Sequence, residues 1–481
     1  MGGEIISYTQ LLKTVMGKPF IFRDGIIIPE NPREDRPLGS VVIDSRKCRE
    51  GSLFVPLPGT VTDGHRHIGD AFKRGAAVSL AAENELQKLP EYLRNSFSGI
   101  GHIIAVPDPL KALQDAAGAF RQSLTGVHIF GITGSSGKTT TKELLGSVFS
   151  RWKKTYMTEG NFNSDIGLPL SIFGLSEDTD YGIFEAGINY PGEMDGLVRI
   201  LQPESVIITN IGSAHAGPLG GKEGIAREKR KLISGSRNVR QVFIHEDEPF
   251  LDFLAAETEA EIFRYGKKTT PGIGEMVSLG SDGTVINWEG LRINLSLPGG
   301  YNGDNALGVI RAAQVHGVSP EAVKEGIESV RPLFGRSEVI RGKITLIRDC
   351  YNANPESVKQ ALELLGSAGE AGRKIAVIGS MKELGAYSVK AHTALGALIA
   401  QSGASAVFLF GEETLHALEG LGETGFQGLA KHYTDYEVLQ DEFIGYVHPG
   451  DTVLLKGSRS NRLERLADTI LETYGMAVSN E

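Results

Sequence analysis

The chain has 481 residues, of which 41% are hydrophobic and 22% charged, with 49 Lys and Arg against 59 Asp and Glu. At roughly 150 residues per domain this length requires several cores, and the balance excludes both a disordered chain and a membrane-embedded one. The net charge of -10 excludes a general pull towards nucleic acid or anionic lipid, so an anionic ligand must be met by local positive charge.

Up to about Thr125 the chain mixes short strand runs, Val41–Ile43 and Leu53–Val55, with helical stretches. It closes on the helical pattern KALQDAAGAFRQSL before a break at Thr125-Gly126. Next, VHIFGI predicts a buried strand, followed by runs at Gly182–Phe184 and Ser205–Thr209 with helical segments between them. Alternation at this spacing predicts a parallel sheet covered on both faces. From about Phe334, runs at Ile344–Ile347, Lys374–Ile378, Ala406–Phe410 and Thr452–Leu455 predict a second, smaller α/β unit. The expected fold is thus α/β in three domains, 1–125, 126–333 and 334–481. The two cysteines, Cys48 and Cys350, are too few for a disulfide framework or a thiolate metal centre. No signal pattern opens the chain and no apolar run approaches ~20 residues, so a cytoplasmic enzyme is expected.

Chemically loaded residues follow the strand runs, where open α/β sheets bind ligands. Gly134-Ser135-Ser136-Gly137-Lys138-Thr139 lies between a strand and a helix expected to begin near Thr140. Close backbone amides, a cation and a hydroxyl for Mg²⁺ occur there in the order a phosphate loop requires, although Ile132 occupies the first position of the strict pattern. No Asn-Lys pair exists to support a guanine-specific reading. Glu185 ends a strand where a Mg²⁺ ligand for bound nucleotide would stand, and His215 ends the next. Lys229 sits in AREKRKLI, which by itself reads as a solvated helix face. Asp349-Cys350-Tyr351-Asn352-Ala353-Asn354-Pro355 follows a strand, with Asn354 suited to cap a helix and Pro355 to its first position.

At these residues the chain resembles the Mur ligases over nearly its whole length. The resemblance rests on DSRKCREGSLFVPLPGTVTDGH, TGSSGKTTTKELL, GNFNSDIGLPL, FEAGINYPGEM, TNIGSAH, LPGGYNGDNAL, GRSE, DCYNANPES, MKELG and LLKGSRS. GNFNSDIGLPL, YNANP and MKELG point to the branch that adds D-alanyl-D-alanine. The resemblance implies an N-terminal domain binding the UDP end of a UDP-MurNAc-tripeptide, a central P-loop ATPase domain and a C-terminal Rossmann-like domain closing over the site. It implies that Gly134, Ser135, Ser136, Gly137, Lys138, Thr139 and Thr140 hold ATP, together with Asn302, Asn305, Arg336 and Asp349, the last through the ribose. Thr139, Glu185, His215 and Lys229 would hold two Mg²⁺ ions, Lys229 as a carbamate. Lys138, Glu185, His215 and Lys229 would form the catalytic set.

By the same resemblance, Ser45, Arg46 and the Asp63-Gly64-His65 turn would contact the UDP-sugar, and Asn161 and Asn163 its channel. Tyr351, Asn352, Lys456, Ser458 and Arg459 would complete the substrate site from the third domain. The expected reaction is ATP-dependent amide formation through an acyl phosphate, in a cytoplasmic monomer that engages neither nucleic acid nor membrane. Alternatives are another Mur-type or a folylpolyglutamate-type ligase, a nucleotide-binding scaffold without chemistry, and a nucleic-acid ATPase. The scaffold should have lost one of Lys138, Glu185, His215 and Lys229, and the last alternative lacks a basic stripe. The chain departs from the family pattern at Tyr301 (usually His), Arg348 and Ser380 (usually Asp) and His67 (usually aromatic), which is expected to alter nucleotide and dipeptide contacts.

Overall fold

The computed structural model describes residues 5–30, 35–59, 62–94, 96–369 and 372–476; Thr60 and Val61, inside the first family motif, lie outside them. A short antiparallel pair, β1 (Ile6–Ser7) and β4 (Pro37–Leu38), is separate from the first six-stranded sheet. That sheet holds β2 (Lys18–Arg23), β3 (Ile26–Pro29), β5 (Ser40–Val42), β6 (Ser52–Phe54), β7 (Ala76–Ala82) and β8 (Gly101–Val106) in the order β3-β2-β8-β7-β6-β5. The helix Pro109–Ser123 follows, its first amides accepted by the Asp108 side chain.

The second sheet is wholly parallel: β9 (His128–Thr133), β10 (Thr155–Met157), β11 (Tyr181–Glu185), β12 (Ser205–Ile208), β13 (Gln241–His245) and β14 (Glu261–Tyr265), in the order β10-β11-β9-β12-β13-β14. VHIFGI is apolar throughout because β9 is covered on both faces: Phe130 and Ile132 enter one core, Ile129 the other. Chain order reverses at β9, with β11 on one side and β12 on the other, so the crevice between their carboxyl ends is a ligand site by topology. An antiparallel sheet of β15 (Ile273–Ser278), β16 (Thr284–Trp288) and β17 (Leu291–Leu295), not foreseen in the sequence, packs against the helix Gly300–His316.

The third sheet contains β18 (Glu338–Arg341), β19 (Thr345–Asp349), β20 (Lys374–Gly379), β21 (Ala406–Phe410), β22 (Leu429–Tyr433) and β23 (Thr452–Lys456) in the order β18-β19-β23-β20-β21-β22. Only β18 runs antiparallel to its neighbour. Sequence periodicity missed β18 and β22, both short edge strands mixing charge with apolar residues. One apolar core runs continuously from Ile6 to Ala260, whereas the two cores around the third sheet contain only residues beyond 338. Among the described residues no helix is long and apolar enough to cross a membrane.

Candidate active site

The phosphate loop runs from the end of β9 into the helix Lys138–Ser150, which starts two residues earlier than expected. Gly137 caps that helix with φ +81, and a Cβ there would lie 2.6 Å from Asn305 Oδ1, so both conformation and space require glycine. No side chain caps the helix, which leaves its first amides free for an anion. The segment after β12 braces the loop: Ser135 N–H donates to the Asn210 carbonyl at 3.0 Å and Ser136 N–H to Asn210 Oδ1 at 3.1 Å.

Two lysines converge on one carbonyl. Lys138 Nζ and Lys229 Nζ each donate to the Gly134 oxygen at 2.9 Å. Burial pushes the amine of Lys138 below its ordinary range. Burial and then the Lys138 charge push Lys229 far lower. Its neighbour Glu228 accepts from the Gly192 and Met194 amides, holding one helix N-terminus against another helix. The charge run thus hides a buried residue: Lys229 is 3% exposed, and the solvated-face reading fails for it.

Thr139 Oγ1 donates to Glu185 Oε2 at 2.8 Å, and Asn163 Nδ2 donates to Glu185 Oε1 at 2.7 Å. A hydroxyl beside a carboxylate is the hard oxygen donor pair that Mg²⁺ prefers, so these residues fit that ion. Among the described residues no group of three His, Cys, Asp or Glu forms a metal site unaided, so further oxygens must come from nucleotide phosphates and water. His215 has a left-handed backbone, φ +60, and its ring meets the Glu383 carboxylate of the third domain. Burial lowers its pKa and the carboxylate opposes the shift.

Ser135, Ser136, Gly137, Lys138, Thr139, Asn163, Glu185, His215 and Lys229 line a cavity of about 460 Å³ together with Thr140, Asn302, Asn305, Arg336, Asp349, Tyr351, Asn352 and Lys456, while Gly134 does not line it. Burial raises the Asp349 carboxyl above its ordinary value and the Lys456 ammonium, 2.9 Å away, opposes this. An adjoining cavity of about 740 Å³ shares Thr139, His215, Arg336, Tyr351 and Asn352 and adds Asn161, Ser458 and Arg459. Two guanidinium groups lie over the ring of Tyr351, Arg336 at 4.1 Å and Arg459 at 5.9 Å from its centre. Asn354 caps the helix Pro355–Ser367, with Pro355 at its first position, as its sequence predicts.

Ser45, Arg46, Asp63, Gly64 and His65 lie in the first domain and line neither cavity. Ser45 is buried, and Arg46 is exposed and folded onto Asp44 at 2.8 Å. In the Asp63-Gly64-His65 turn, expected to contact the UDP-sugar, the His65 ring is engaged internally: Nδ1 pairs with Asp63 Oδ1 at 2.7 Å and Nε2 accepts the Ala82 N–H at 2.9 Å. Arg348 and Ser380, expected to alter site contacts, also line neither cavity. Arg348 is buried against Glu338 and Phe334, and Ser380 against Asn461.

Sequence reading missed Lys142, a fully buried lysine one turn along the P-loop helix. Its Nζ donates to the carbonyls of Thr158 at 2.7 Å and Gly160 at 3.2 Å, fastening the segment that carries Asn161 and Asn163. The Lys142→Met variant keeps the apolar stem but strands those carbonyls. It is expected to destabilise the central domain by about 1–3 kcal/mol, read as a lowered denaturant midpoint; an unchanged midpoint would show that the segment holds without this lysine. The sequence also gave no sign of Glu356, which accepts from Ser213 N–H, Ser213 Oγ and Lys222 Nζ, each at 2.9 Å, across the domain join. There Gly217 and Gly385 approach so closely that a Cβ on either would lie 2.7 Å from the other's backbone.

Family models match in three stretches: residues 38–121 match "Mur ligase family, catalytic domain", 132–313 "Mur ligase middle domain", and 335–459 "Mur ligase, glutamate ligase domain". A UDP-N-acetylmuramoyl-tripeptide–D-alanyl-D-alanine ligase from Treponema pallidum is 38% identical, covering 90% of this chain and 94% of its own. The crystal structure of MurF from Acinetobacter baumannii superimposes with a TM-score of 0.83 at 27% identity, over 96% of this chain and 98% of that one. MurF ligase from Thermotoga maritima in complex with ADP gives 0.75 at 25% identity, over 91% and 98%.

Proposed function

As the chain belongs to the Mur ligase family, we propose that the two adjoining cavities form one active site, which uses ATP to join D-alanyl-D-alanine to UDP-N-acetylmuramoyl-tripeptide in peptidoglycan precursor synthesis. What carries this reading is the convergence of the P-loop, the Thr139–Glu185 pair, buried Lys229 and the Tyr351-Asn352 turn on one cleft between the second and third sheets. Relatives of the D-alanyl-D-alanine-adding kind match along nine-tenths of the chain, which favours this branch over a folylpolyglutamate-type ligase.

A carboxylate is a poor electrophile, so the reaction needs a leaving group. The terminal carboxylate of the tripeptide takes the γ-phosphoryl group of ATP, giving an acyl phosphate and ADP. The amine of D-alanyl-D-alanine attacks the acyl carbon, loses a proton, and phosphate leaves as the amide forms. The chain's task is to gather several anions and align the attack. In this scheme Lys138 and the free amides at Gly137–Thr140 hold the phosphates, Asn302, Asn305 and Arg336 the rest of the nucleotide, and Asp349 its ribose. Mg²⁺, held by Thr139, Glu185, His215 and the Lys229 carbamate, would neutralise charge on the phosphoryl oxygens. Asn161 and Asn163 line the tripeptide channel, while Tyr351, Asn352, Lys456, Ser458 and Arg459 face the acceptor.

The division at about residues 125 and 333 is part of this proposal. The first domain takes the UDP end through Ser45, Arg46 and the Asp63-Gly64 turn, with His65 bracing that turn. In this proposal a monomer is the working unit, and its reaction belongs in the cytoplasm, where ATP is at hand. The direct test is phosphate release from ATP with UDP-MurNAc-tripeptide, with and without D-alanyl-D-alanine. Release is expected to need both substrates, and Lys138→Ala should lower it by about 10²–10³-fold while leaving the fold intact. Near-full activity in that variant would show the nucleotide loop to be misassigned.

A further inference from the structure

A chain of polar contacts outside the phosphate loop crosses the join between the second and third domains. Tyr301 lies in the first turn of the helix Gly300–His316, and its phenol is in hydrogen-bond contact with Ser337 Oγ. Ser337 is buried, immediately before β18, with a left-handed backbone at φ +54. A serine adopts that conformation rarely and keeps it only where its surroundings hold it. There its N–H donates to Asp349 Oδ1 at 3.1 Å. Asp349 Oδ2 meets Lys456 Nζ at 2.9 Å, and Lys456 donates to the Asn352 carbonyl at 2.9 Å.

We propose that Tyr301 is a positioning residue for the nucleotide: by holding Ser337 in its left-handed conformation it sets the orientation of Asp349 and, through Lys456, of the Asn352 end of the acceptor turn. This rests on the assignment of Asp349 to the nucleotide. Without the phenol oxygen, Ser337 loses the side-chain contact that ties it to the central domain. Its backbone is then free to leave the left-handed region, and the amide turns off Asp349. The carboxylate keeps only Lys456 and is no longer fixed from two sides. Nucleotide binding would suffer first, because a misoriented carboxylate loses its hydrogen bond to the ribose, while the groups around the transferred phosphoryl stay in place.

Tyr301→Phe deletes one oxygen and preserves the ring's packing. It is expected to raise the KM for ATP about tenfold, the effect of one lost buried hydrogen bond, with kcat at saturating ATP changed less than about threefold. Ser337→Ala removes the other half of the same contact. It should raise the KM to a similar degree, and the double variant should be no worse than either single one. An unchanged KM for ATP in Tyr301→Phe, a loss confined to kcat, or additive effects in the double variant would each overturn the inference. Asp349→Asn, assayed in parallel, separates the two layers. If it leaves the KM for ATP unchanged, the nucleotide assignment of Asp349 fails; if it raises the KM while Tyr301→Phe does not, only the role of Tyr301 fails.

Discussion

Lys229→Ala is expected to lower ligation on the order of 10³-fold, with part of the activity restored by short carboxylic acids. The side chain is buried, its amine is pushed far below the usual range, and it shares the Gly134 carbonyl with Lys138. Two ammonium groups there would repel each other and any Mg²⁺ held by the Thr139–Glu185 pair. In the proposed scheme a neutral amine would instead attack CO₂: a C–N bond would form, one C=O pair would move onto oxygen, and the nitrogen would lose a proton. The product would be an anionic carbamate, turning a repelling cation into an oxygen donor. Glu228 cannot take that role, because its Oε1 is occupied by the Gly192 and Met194 amides and its Oε2 pairs with Lys231 at 2.9 Å. The modification needs the unprotonated amine, so activity at fixed CO₂ should fall as pH falls through the depressed pKa and hold above it. Rates with and without added acid, and after bicarbonate depletion, test this. A fully active Lys229→Ala would remove the carbamate from the scheme.

D-Alanyl-D-alanine is expected to be preferred over free amino acids such as L-lysine, glutamate or diaminopimelate by up to ~10⁴-fold in kcat/KM. The acceptor turn is held rigidly: Asn354 accepts from Ser357 N–H at 2.8 Å, and Lys456 fixes the Asn352 carbonyl. Tyr351, with Arg336 and Arg459 close to its ring, sets an aromatic group beside positive charge, suited to a small peptide ending in a carboxylate. A dipeptide brings an internal amide that Asn352 can pair, and a site built to pair it leaves polar groups stranded when a single amino acid binds. Acceptors should be compared side by side on one UDP-MurNAc-tripeptide. Similar kcat/KM for a free amino acid would overturn the branch assignment and leave the ligase reading standing.

Much of the central site was legible because it is local. The phosphate loop follows a short apolar strand run and Glu185 ends another; His215, expected to end the next, stands beyond it before the helix Ala216–Leu219, and topology brings these strand ends together. Lys142, Glu356 and the Tyr301–Ser337 contact were not legible, because each depends on a partner that sequence spacing does not announce. Ser213 and Glu356 meet across 143 positions, and Lys142 donates to backbone carbonyls, which carry no sequence signal. The bracing role of the His65 ring was hidden for the same reason: the Ala82 amide that donates to it belongs to a separate strand. Lys229 had to be placed by resemblance, since its charged neighbours Arg230 and Lys231 pair with Glu257 and Asp195 at the surface.

The third sheet's cores stop short of the rest of the molecule, and the bonds across that join are polar, made by carboxylates, hydroxyls, amines and amides. Heat capacity follows apolar surface, so swinging this unit away should change it little, whereas melting either part should change it greatly. Calorimetry should therefore resolve two melting units, residues up to about 333 as one and the remainder as the other. The equilibrium between docked and undocked forms should respond to ionic strength far more than to temperature. Concentrated salt would then loosen the cleft while leaving both units folded, and activity would be lost well before either melts.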